Sequence, residues 1–267
     1  MKVQSAPALR PSLALAFALG LPAAALAEVK MESVQYQDGD QTLSGYIAYD
    51  DALEGKRPGV LVVHEWWGLN DYAKRRARML AELGYVAFAA DMYGDNKVTE
   101  HAADAKGWMM QITENQDAWQ RRALAGLEAL KASDKVDEER LAAIGYCFGG
   151  ATVMQLAYAG ADLDGVVSFH GSLPVATPEQ QKAIKASILV AHGDQDAHVP
   201  AERVASFKEA LDAAGADWEM AIYAGAKHGF TNPDAGSYGI ESLAYDPKAD
   251  ARSWSLMQSF LTEVLAP

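Results

Sequence analysis

Short apolar runs alternate with longer, helix-spaced segments along most of the chain. Six apolar runs predict strands, at residues 60–63, 85–90, 141–146, 166–169, 188–191 and 218–223. Segments with apolar residues every three or four positions predict helices, at residues 70–83, 99–115, 116–132, 151–158, 201–214 and 247–265. Buried strands separated by amphipathic helices indicate a mostly parallel sheet that is covered on both faces.

The first two predicted strands differ from the others, because they are longer and are joined by a tight turn. Residues 29–37 and 42–49 flank Asp38-Gly39-Asp40, which is typical of a hairpin. We therefore expect an antiparallel N-terminal edge on the parallel sheet. The predicted fold class is α/β, with one domain over residues 28–267, which is long enough to bury a full core.

The first 27 residues have the pattern of a secretory signal peptide. Lys2 and Arg10 form the positive region, residues 12–24 form a short apolar region, and Ala25-Leu26-Ala27 supplies a cleavage sequence. The apolar run is shorter than the roughly 20 residues of a membrane span, so we expect no stable membrane insertion. The sequence predicts an exported protein, periplasmic or secreted.

The charge of the chain narrows the range of partners. The formal net charge is −13, and nucleic acid is therefore not expected as a partner, because phosphate binding requires a basic face. No metal or organic cofactor is expected. The sequence leaves the oligomeric state open.

Cys147 is the chain's single cysteine, and it lies in Gly145-Tyr146-Cys147-Phe148-Gly149. This G-x-C-x-G pattern follows a predicted strand and precedes a helix, as in the turn that presents the nucleophile of α/β-hydrolases, with cysteine in place of serine. Free cysteine is often an inert core residue, but the flanking glycines favour a nucleophile.

Candidate partners for the thiol follow the next strands, at the sheet edge where function concentrates in such folds. Asp194 and Asp196 follow residues 188–191, and His228 follows residues 218–223. The order nucleophile, acid, histidine is that of α/β-hydrolases. We prefer Asp196 to Asp194 as the acid, because it lies at the crest of its loop. His198 is a weaker alternative base than His228, and structural or solvated roles are expected for the other histidines, His64, His101, His170 and His192.

The segment His64-Glu65-Trp66-Trp67-Gly68 follows the strand at residues 60–63. It is not a zinc signature, because the second histidine of H-E-x-x-H is missing. In the α/β-hydrolase fold the equivalent loop supplies one N–H of the oxyanion hole, and the residue after the nucleophile supplies the other. The expected donors are therefore the backbone N–H groups of Trp66 and Phe148.

Taken together, these segments resemble the dienelactone hydrolase family. The resemblance rests on four segments, at residues 64–70, 145–150, 193–200 and 228–230. It implies an α/β-hydrolase fold with a triad of Cys147, Asp196 and His228. It also implies that Glu65 modulates the nucleophile, by meeting the thiol in the resting enzyme and moving away when substrate binds.

The resemblance is incomplete where the family binds the carboxylate of dienelactones. The arginines that serve this purpose are missing from residues 91–97 and 231–234, where Lys97 is the one cation. Lysine lacks the bidentate geometry of arginine. We therefore expect hydrolysis of a small ester, lactone or thioester, without a commitment to dienelactone. The alternatives are a non-catalytic ligand-binding protein and a redox-sensing thiol protein.

Overall fold

The structure, a computed structural model, describes residues 1–2 and 29–267, so the predicted signal peptide lies almost wholly outside the described residues. Eight strands are present in the described part: β1 (Val29–Asp38), β2 (Gln41–Asp50), β3 (Arg57–Val63), β4 (Val86–Ala90), β5 (Val136–Tyr146), β6 (Gly165–Phe169), β7 (Ser187–Gly193) and β8 (Trp218–Tyr223). The α-helices of the same part are α1 (Asp71–Glu82), α2 (Ala102–Thr113), α3 (Gln116–Lys131), α4 (Phe148–Tyr158), α5 (Pro178–Gln181), α6 (Ala201–Ala214) and α7 (Pro247–Val264). A short 3-10 helix lies at Ala235–Tyr238.

The strands form one sheet in the order β1-β2-β4-β3-β5-β6-β7-β8. β2 pairs antiparallel with both β1 and β4, whereas every other neighbouring pair is parallel. The predicted fold class is confirmed: a mostly parallel sheet with an antiparallel N-terminal edge. Because β3 to β8 are parallel, the loops after β3, β5, β6, β7 and β8 meet at one edge.

The alternation of side chains along each strand builds a core on each face of the sheet. In β3, Leu61 and Val63 belong to one cluster, while Val60 and Val62 belong to the other. The first cluster is covered by α3, α4 and α6, and the second by α1 and α7. This confirms helices on both faces.

Three elements differ from the sequence-based prediction. β5 begins at Val136 rather than at residue 141. The pairing of β3 with β5 shifts register between Pro58 and Gly59, and this shift accommodates the charged residues 137–140 within the strand. α4 begins at Phe148, directly after Cys147, rather than at residue 151. α5 was not predicted, although Thr177 and Gln180 form a capping box at its start.

In the part of the chain that the structure describes, every helix is too short or too polar to span a bilayer.

Candidate active site

Cys147 stands at the turn between β5 and α4, in a strained backbone conformation. Its φ is 56° and its ψ is −114°, a region that L-residues rarely adopt. The glycines around it are required by close packing, because a Cβ on Gly145 would lie 2.0 Å from the carbonyl oxygen of Gly149. A Cβ on Gly149 would lie 2.1 Å from the Val63 carbonyl oxygen. The turn thus presses α4 against β3 and holds the thiol at the helix N-terminus.

Three side chains from three loops meet above the sheet edge. The Nδ1 atom of His228 lies 2.8 Å from Oδ2 of Asp196, and both residues are buried. The backbone N–H of His198 donates to the other carboxylate oxygen, Oδ1, over 2.9 Å. His228 also lies close enough to Cys147 for this residue to raise the pKa of the imidazole, and both residues line one pocket. The structure therefore brings together Cys147, Asp196 and His228, which lie far apart in the sequence.

The electrostatic surroundings favour a charged imidazole on His228. Burial lowers the pKa of this histidine, but the charges and hydrogen bonds of Cys147 and Asp196 together raise it well above its ordinary value. Burial raises the pKa of Asp196, but the hydrogen bond and the charge of His228 lower it. The net result is a pKa below the ordinary value for this carboxyl. The arrangement therefore stabilises an imidazolium beside a carboxylate.

The weaker sequence candidates lie elsewhere or serve other contacts. Asp194 is exposed, and its carboxylate accepts a hydrogen bond from Gln195 Nε2 rather than from His228. His198 bonds Ser242 Oγ through Nε2, at 2.8 Å, and its ring centroid lies 4.8 Å from that of His228. His64 accepts the backbone N–H of Met92, which is a structural role.

His170 lies behind the catalytic candidates. Its Nε2 is 2.8 Å from Thr231 Oγ1, and its ring centroid is 5.3 Å from that of His228. Burial and the nearby His228 hold its pKa well below the ordinary value. His170 is thus a neutral neighbour of the ring that carries the charge.

The two candidate oxyanion donors belong to residues that line the pocket with Cys147. Phe148 is the first residue of α4, so its N–H has no acceptor within the helix. Trp66 lies in the loop after β3, where the hydroxyl of Tyr93 donates to the Trp66 carbonyl over 2.9 Å. Both residues line the same pocket as Cys147.

Glu65 is buried next to the histidine loop, with only 4% of its surface exposed. Its Oε2 accepts a hydrogen bond from Asn232 Nδ2 over 2.7 Å. Burial raises the pKa of Glu65 to about 7, although Asn232 and His228 act in the opposite direction. In the structure, the carboxylate of Glu65 therefore hydrogen-bonds Asn232, while Cys147 and His228 line the same pocket.

A buried polar network anchors the histidine loop from behind. Arg76 Nη2 donates to the carbonyl oxygen of Thr231 over 2.7 Å and also to Asp250. Tyr72 and His170 both hydrogen-bond the Thr231 hydroxyl. Because Thr231 is three residues beyond His228, these contacts fix the loop that carries His228.

A pocket of about 430 Å3 opens above Cys147. Its apolar walls come mainly from α2, α3 and α4, and from loops beside them: Trp66, Met109, Trp119, Phe148, Ala151, Pro174, Pro200 and Leu243. Polar side chains contribute the rest: Thr113, Cys147, Ser172, His198, Arg203 and His228. The region 99–132, whose position the sequence left open, therefore covers part of the pocket.

Sequence reasoning missed the pocket residues that come from helices distant in the chain. Arg203 lies in the first turn of α6 and lines the pocket, whereas Lys97, the cation considered earlier, pairs with Asp95 at 3.7 Å. No sequence pattern marks Arg203, because its position depends on how α6 docks against the sheet. Asn232 was overlooked for a similar reason, since its partner Glu65 is 167 residues away.

Comparison with known proteins adds a family relationship. The sequence model described as "Dienelactone hydrolase family" matches residues 43–265. A solved dienelactone hydrolase-like promiscuous phosphotriesterase from metagenomic libraries is 42% identical, with a TM-score of 0.87 over 89% of this chain and 99% of that one. A putative carboxymethylenebutenolidase of Aquifex aeolicus is 28% identical over 88% of this chain and 99% of its own. The protein named usf of Aquifex pyrophilus is 29% identical over the same shares.

Proposed function

The chain belongs to the dienelactone hydrolase family, and from this premise we propose that it hydrolyses a small ester, lactone or thioester through an acyl-cysteine intermediate. It is a dienelactone hydrolase-like, carboxymethylenebutenolidase-type ester hydrolase. In the proposed reaction Cys147 is the nucleophile, His228 transfers the proton and Asp196 orients the imidazole. The observation that carries the proposal is the position of His228, which hydrogen-bonds Asp196 and lines the same pocket as Cys147.

In the first step, the sulfur of Cys147 attacks the substrate carbonyl as a thiolate while His228 holds the proton. The raised pKa of His228 supports this role, because it favours an imidazolium next to an anionic sulfur. The hydrogen bond from Nδ1 to Asp196 leaves Nε2 free to face the thiol. The same nitrogen then gives its proton to the departing alcohol or thiol.

The negative charge that develops on the carbonyl oxygen requires donors fixed in advance. We assign this role to the backbone N–H groups of Trp66 and Phe148. The hydrogen bond from Tyr93 to the Trp66 carbonyl supports the assignment, because it holds the loop after β3 in place. In the second step, water activated by His228 cleaves the thioester and regenerates the thiol.

Glu65 is proposed to modulate the nucleophile from beside the histidine loop. A buried carboxyl with a pKa of about 7 changes its charge within the range in which His228 and Cys147 must share a proton. Its hydrogen bond to Asn232 supplies the position away from the sulfur, which Glu65 would take up when substrate binds.

A phosphotriester is a second candidate substrate. The relative that is 42% identical is described as a promiscuous phosphotriesterase, and it shares the fold of this chain. A P=O oxygen could be held by the same two N–H groups as a carbonyl oxygen, and the largely apolar pocket suits uncharged organic substituents.

We also propose that residues 1–27 direct export and that residues 28–267 form the mature domain. The pattern of charge, apolar run and Ala25-Leu26-Ala27 supports this. Sequencing the N-terminus of protein recovered from the periplasm or medium tests it: a start at Glu28 supports export, and an intact Met1 in cytosolic protein contradicts it.

The triad is tested by trapping the acyl-enzyme. The purified domain is screened on p-nitrophenyl esters, thioesters, unsaturated lactones and a phosphotriester, and an acid quench followed by peptide mass spectrometry locates the acyl group. We expect acylation on the peptide that contains Cys147. Cys147→Ala should lower turnover by on the order of a thousandfold or more, since triads act as units.

Histidine variants provide the matched control for this test. His228→Ala should lose most activity, while His101→Ala, which removes an exposed histidine outside the pocket, should not. Wild-type turnover in Cys147→Ala, or an acyl group on another residue, would refute the mechanism.

A further inference from the structure

Residues 240–246, here called the strap, run alongside the loop that carries His228. Leu243 of the strap forms an isolated parallel bridge with His228, and the backbone N–H of Ala244 donates to the His228 carbonyl oxygen over 3.2 Å. Leu243 is the one fully buried residue of the strap. The strap is therefore held largely by hydrogen bonds, and its position bears directly on that of His228.

His198 joins the strap to the loop that carries the triad acid. Its Nε2 lies 2.8 Å from Oγ of Ser242, a strap residue 44 positions further along the chain. Its backbone N–H donates to Oδ1 of Asp196 over 2.9 Å, while Oδ2 of the same carboxylate lies 2.8 Å from Nδ1 of His228. His198 thus connects the two segments that hold the catalytic imidazole.

The ring of His198 is also a neighbour of the His228 ring. Their centroids lie 4.8 Å apart, with the ring planes tilted by 58°, and both residues line the pocket. His170, the other imidazole beside His228, is fully buried, whereas His198 is an exposed residue. An exposed side chain changes rotamer rapidly unless a contact restrains it. The hydrogen bond with Ser242 supplies such a restraint.

We propose that His198 is a positioning residue for His228, and that Ser242 fixes the His198 ring against it. This pair of side chains is here called the clasp. The inference rests on the proposed function and adds two residues to its proton-transfer machinery. By limiting rotation of His228, the clasp keeps Nδ1 on Asp196, so that Nε2 remains the nitrogen that exchanges protons with Cys147.

Ser242→Ala tests the clasp most cleanly, because Ser242 does not belong to the residues that line the pocket. We expect kcat for p-nitrophenyl butyrate to fall roughly fivefold to twentyfold while KM stays within about twofold, since proton transfer depends on alignment and binding does not. Ser242→Thr keeps the hydroxyl and should recover most of the activity. Ser255→Ala, which removes an exposed hydroxyl of α7, should leave kcat unchanged.

A double-mutant cycle measures whether the two side chains act together. His198→Phe keeps an aromatic ring but loses the hydrogen bond, so it should lower kcat about as much as Ser242→Ala does. In the His198→Phe background, Ser242→Ala should cost less than about twofold, because its partner is already gone. The variants should unfold at the same urea concentration as the wild type, which separates a loss of alignment from a loss of folding.

The rate at which iodoacetamide alkylates Cys147 provides a second measurement that needs no ester. The thiolate is the reacting form, so a misaligned His228 in Ser242→Ala should slow alkylation by about twofold or more. Ser255→Ala should react at the wild-type rate.

Several results would overturn the clasp. Additive losses in the double variant, or a Ser242→Thr variant as slow as Ser242→Ala, would show that the hydrogen bond is not responsible. Unchanged kcat in Ser242→Ala and His198→Phe would remove the positioning role, and a loss accompanied by easier unfolding in urea would make it merely structural. If the wild type hydrolyses none of the esters, the proposed function fails, and alkylation still decides: equal rates in wild type and Ser242→Ala contradict the clasp.

Discussion

Two regions beside the pocket are built in opposite ways: the buried polar network behind the His228 loop, here called the floor, and the helix that lines the pocket, here called the roof. The floor network, formed by Tyr72, Arg76, His170, Thr231 and Asp250, is made of mutually hydrogen-bonded and mostly buried polar groups. The roof is helix α2, of which only Ala105 is fully buried within the described residues. Trp108, Met109 and Ile112 of this helix are partly buried against the rest of the protein.

The two regions therefore affect different properties: the floor sets the position of His228, and the roof sets the shape of the pocket. The floor holds the loop that carries His228, so small shifts there would move the imidazole relative to the sulfur of Cys147. The roof lines the pocket through side chains such as Met109 and has few buried side chains of its own, so it can change with little effect on the fold. Three substitutions test this contrast.

The largest effect is expected from Arg76→Met, which removes the cation at the centre of the floor. Arg76 is 3% exposed and bonds both Thr231 and Asp250, so its loss leaves a carbonyl and a carboxylate without their partner. We expect the free energy of unfolding to fall by about 3 kcal/mol or more. Urea denaturation of the variant measures this loss.

Arg78→Met is the matched control, because Arg78 lies on the exposed side of the same helix. It should change the unfolding free energy by less than about 0.5 kcal/mol. Equal losses in the two variants would show that the floor does not depend on its buried arginine.

The second substitution, Glu65→Gln, tests the cost of a buried carboxylate beside the floor. A carboxyl whose pKa is about 7 in the folded chain ionises more readily when unfolded. Below about pH 4 the carboxyl is protonated in both states, so it does not reduce the free energy of unfolding. As the pH rises toward 7, the unfolded chain ionises first and the free energy of unfolding falls. Glutamine keeps an oxygen for Asn232 but cannot ionise.

We expect Glu65→Gln to be more stable than the wild type at pH 8, by up to about 3 kcal/mol, and equally stable near pH 4. Unfolding curves at both pH values measure the difference. Glu82→Gln, at an exposed position of α1, should change stability by less than about 0.5 kcal/mol at either pH. A Glu65→Gln variant whose stability relative to the wild type does not depend on pH would contradict this account.

The smallest effect is expected in the roof, from Met109→Ala. Removing this side chain enlarges the apolar side of the pocket, so kcat/KM should shift toward longer acyl chains by less than about tenfold. The unfolding free energy should fall by less than about 1 kcal/mol. A series of p-nitrophenyl esters from acetate to octanoate measures the shift, and Met110→Ala, at an exposed neighbour, is the control. A large loss of stability would show that the roof is part of the core.

The sequence was sufficient for the fold because local patterns determine its main parts. Val60 to Val63 form an unbroken apolar run, and such runs identify strands that are buried on both faces. The first half of β5 was not predicted, because residues 137–140 are charged and do not form an apolar run. This half pairs with β3 at Arg57 and Pro58 through a register shift that has no signal in the local sequence. The capping box at Thr177 was a signal for α5 that was available and was not used.

For the site, the sequence was sufficient to predict the residues that directly follow strands. It was not sufficient for residues that reach the site only because a distant segment packs against it. Cys147, Asp196 and His228 each follow a strand of one sheet, so topology alone predicts that they lie close together. Arg203, Met109 and the bond between Glu65 and Asn232 depend on how distant segments pack. Such contacts are not encoded in spacing along the chain.

The crowded turn around Cys147 also bears on engineering of this protein. Gly145 and Gly149 face backbone carbonyl oxygens that cannot withdraw, so any library that randomises these two positions will consist largely of misfolded members. Cys147 lines the pocket, and a serine in its place would exchange the sulfur for an oxygen without adding an atom to the turn. New reactivity should therefore be sought by changing the attacking atom and the pocket walls, while the shape of the turn is left intact.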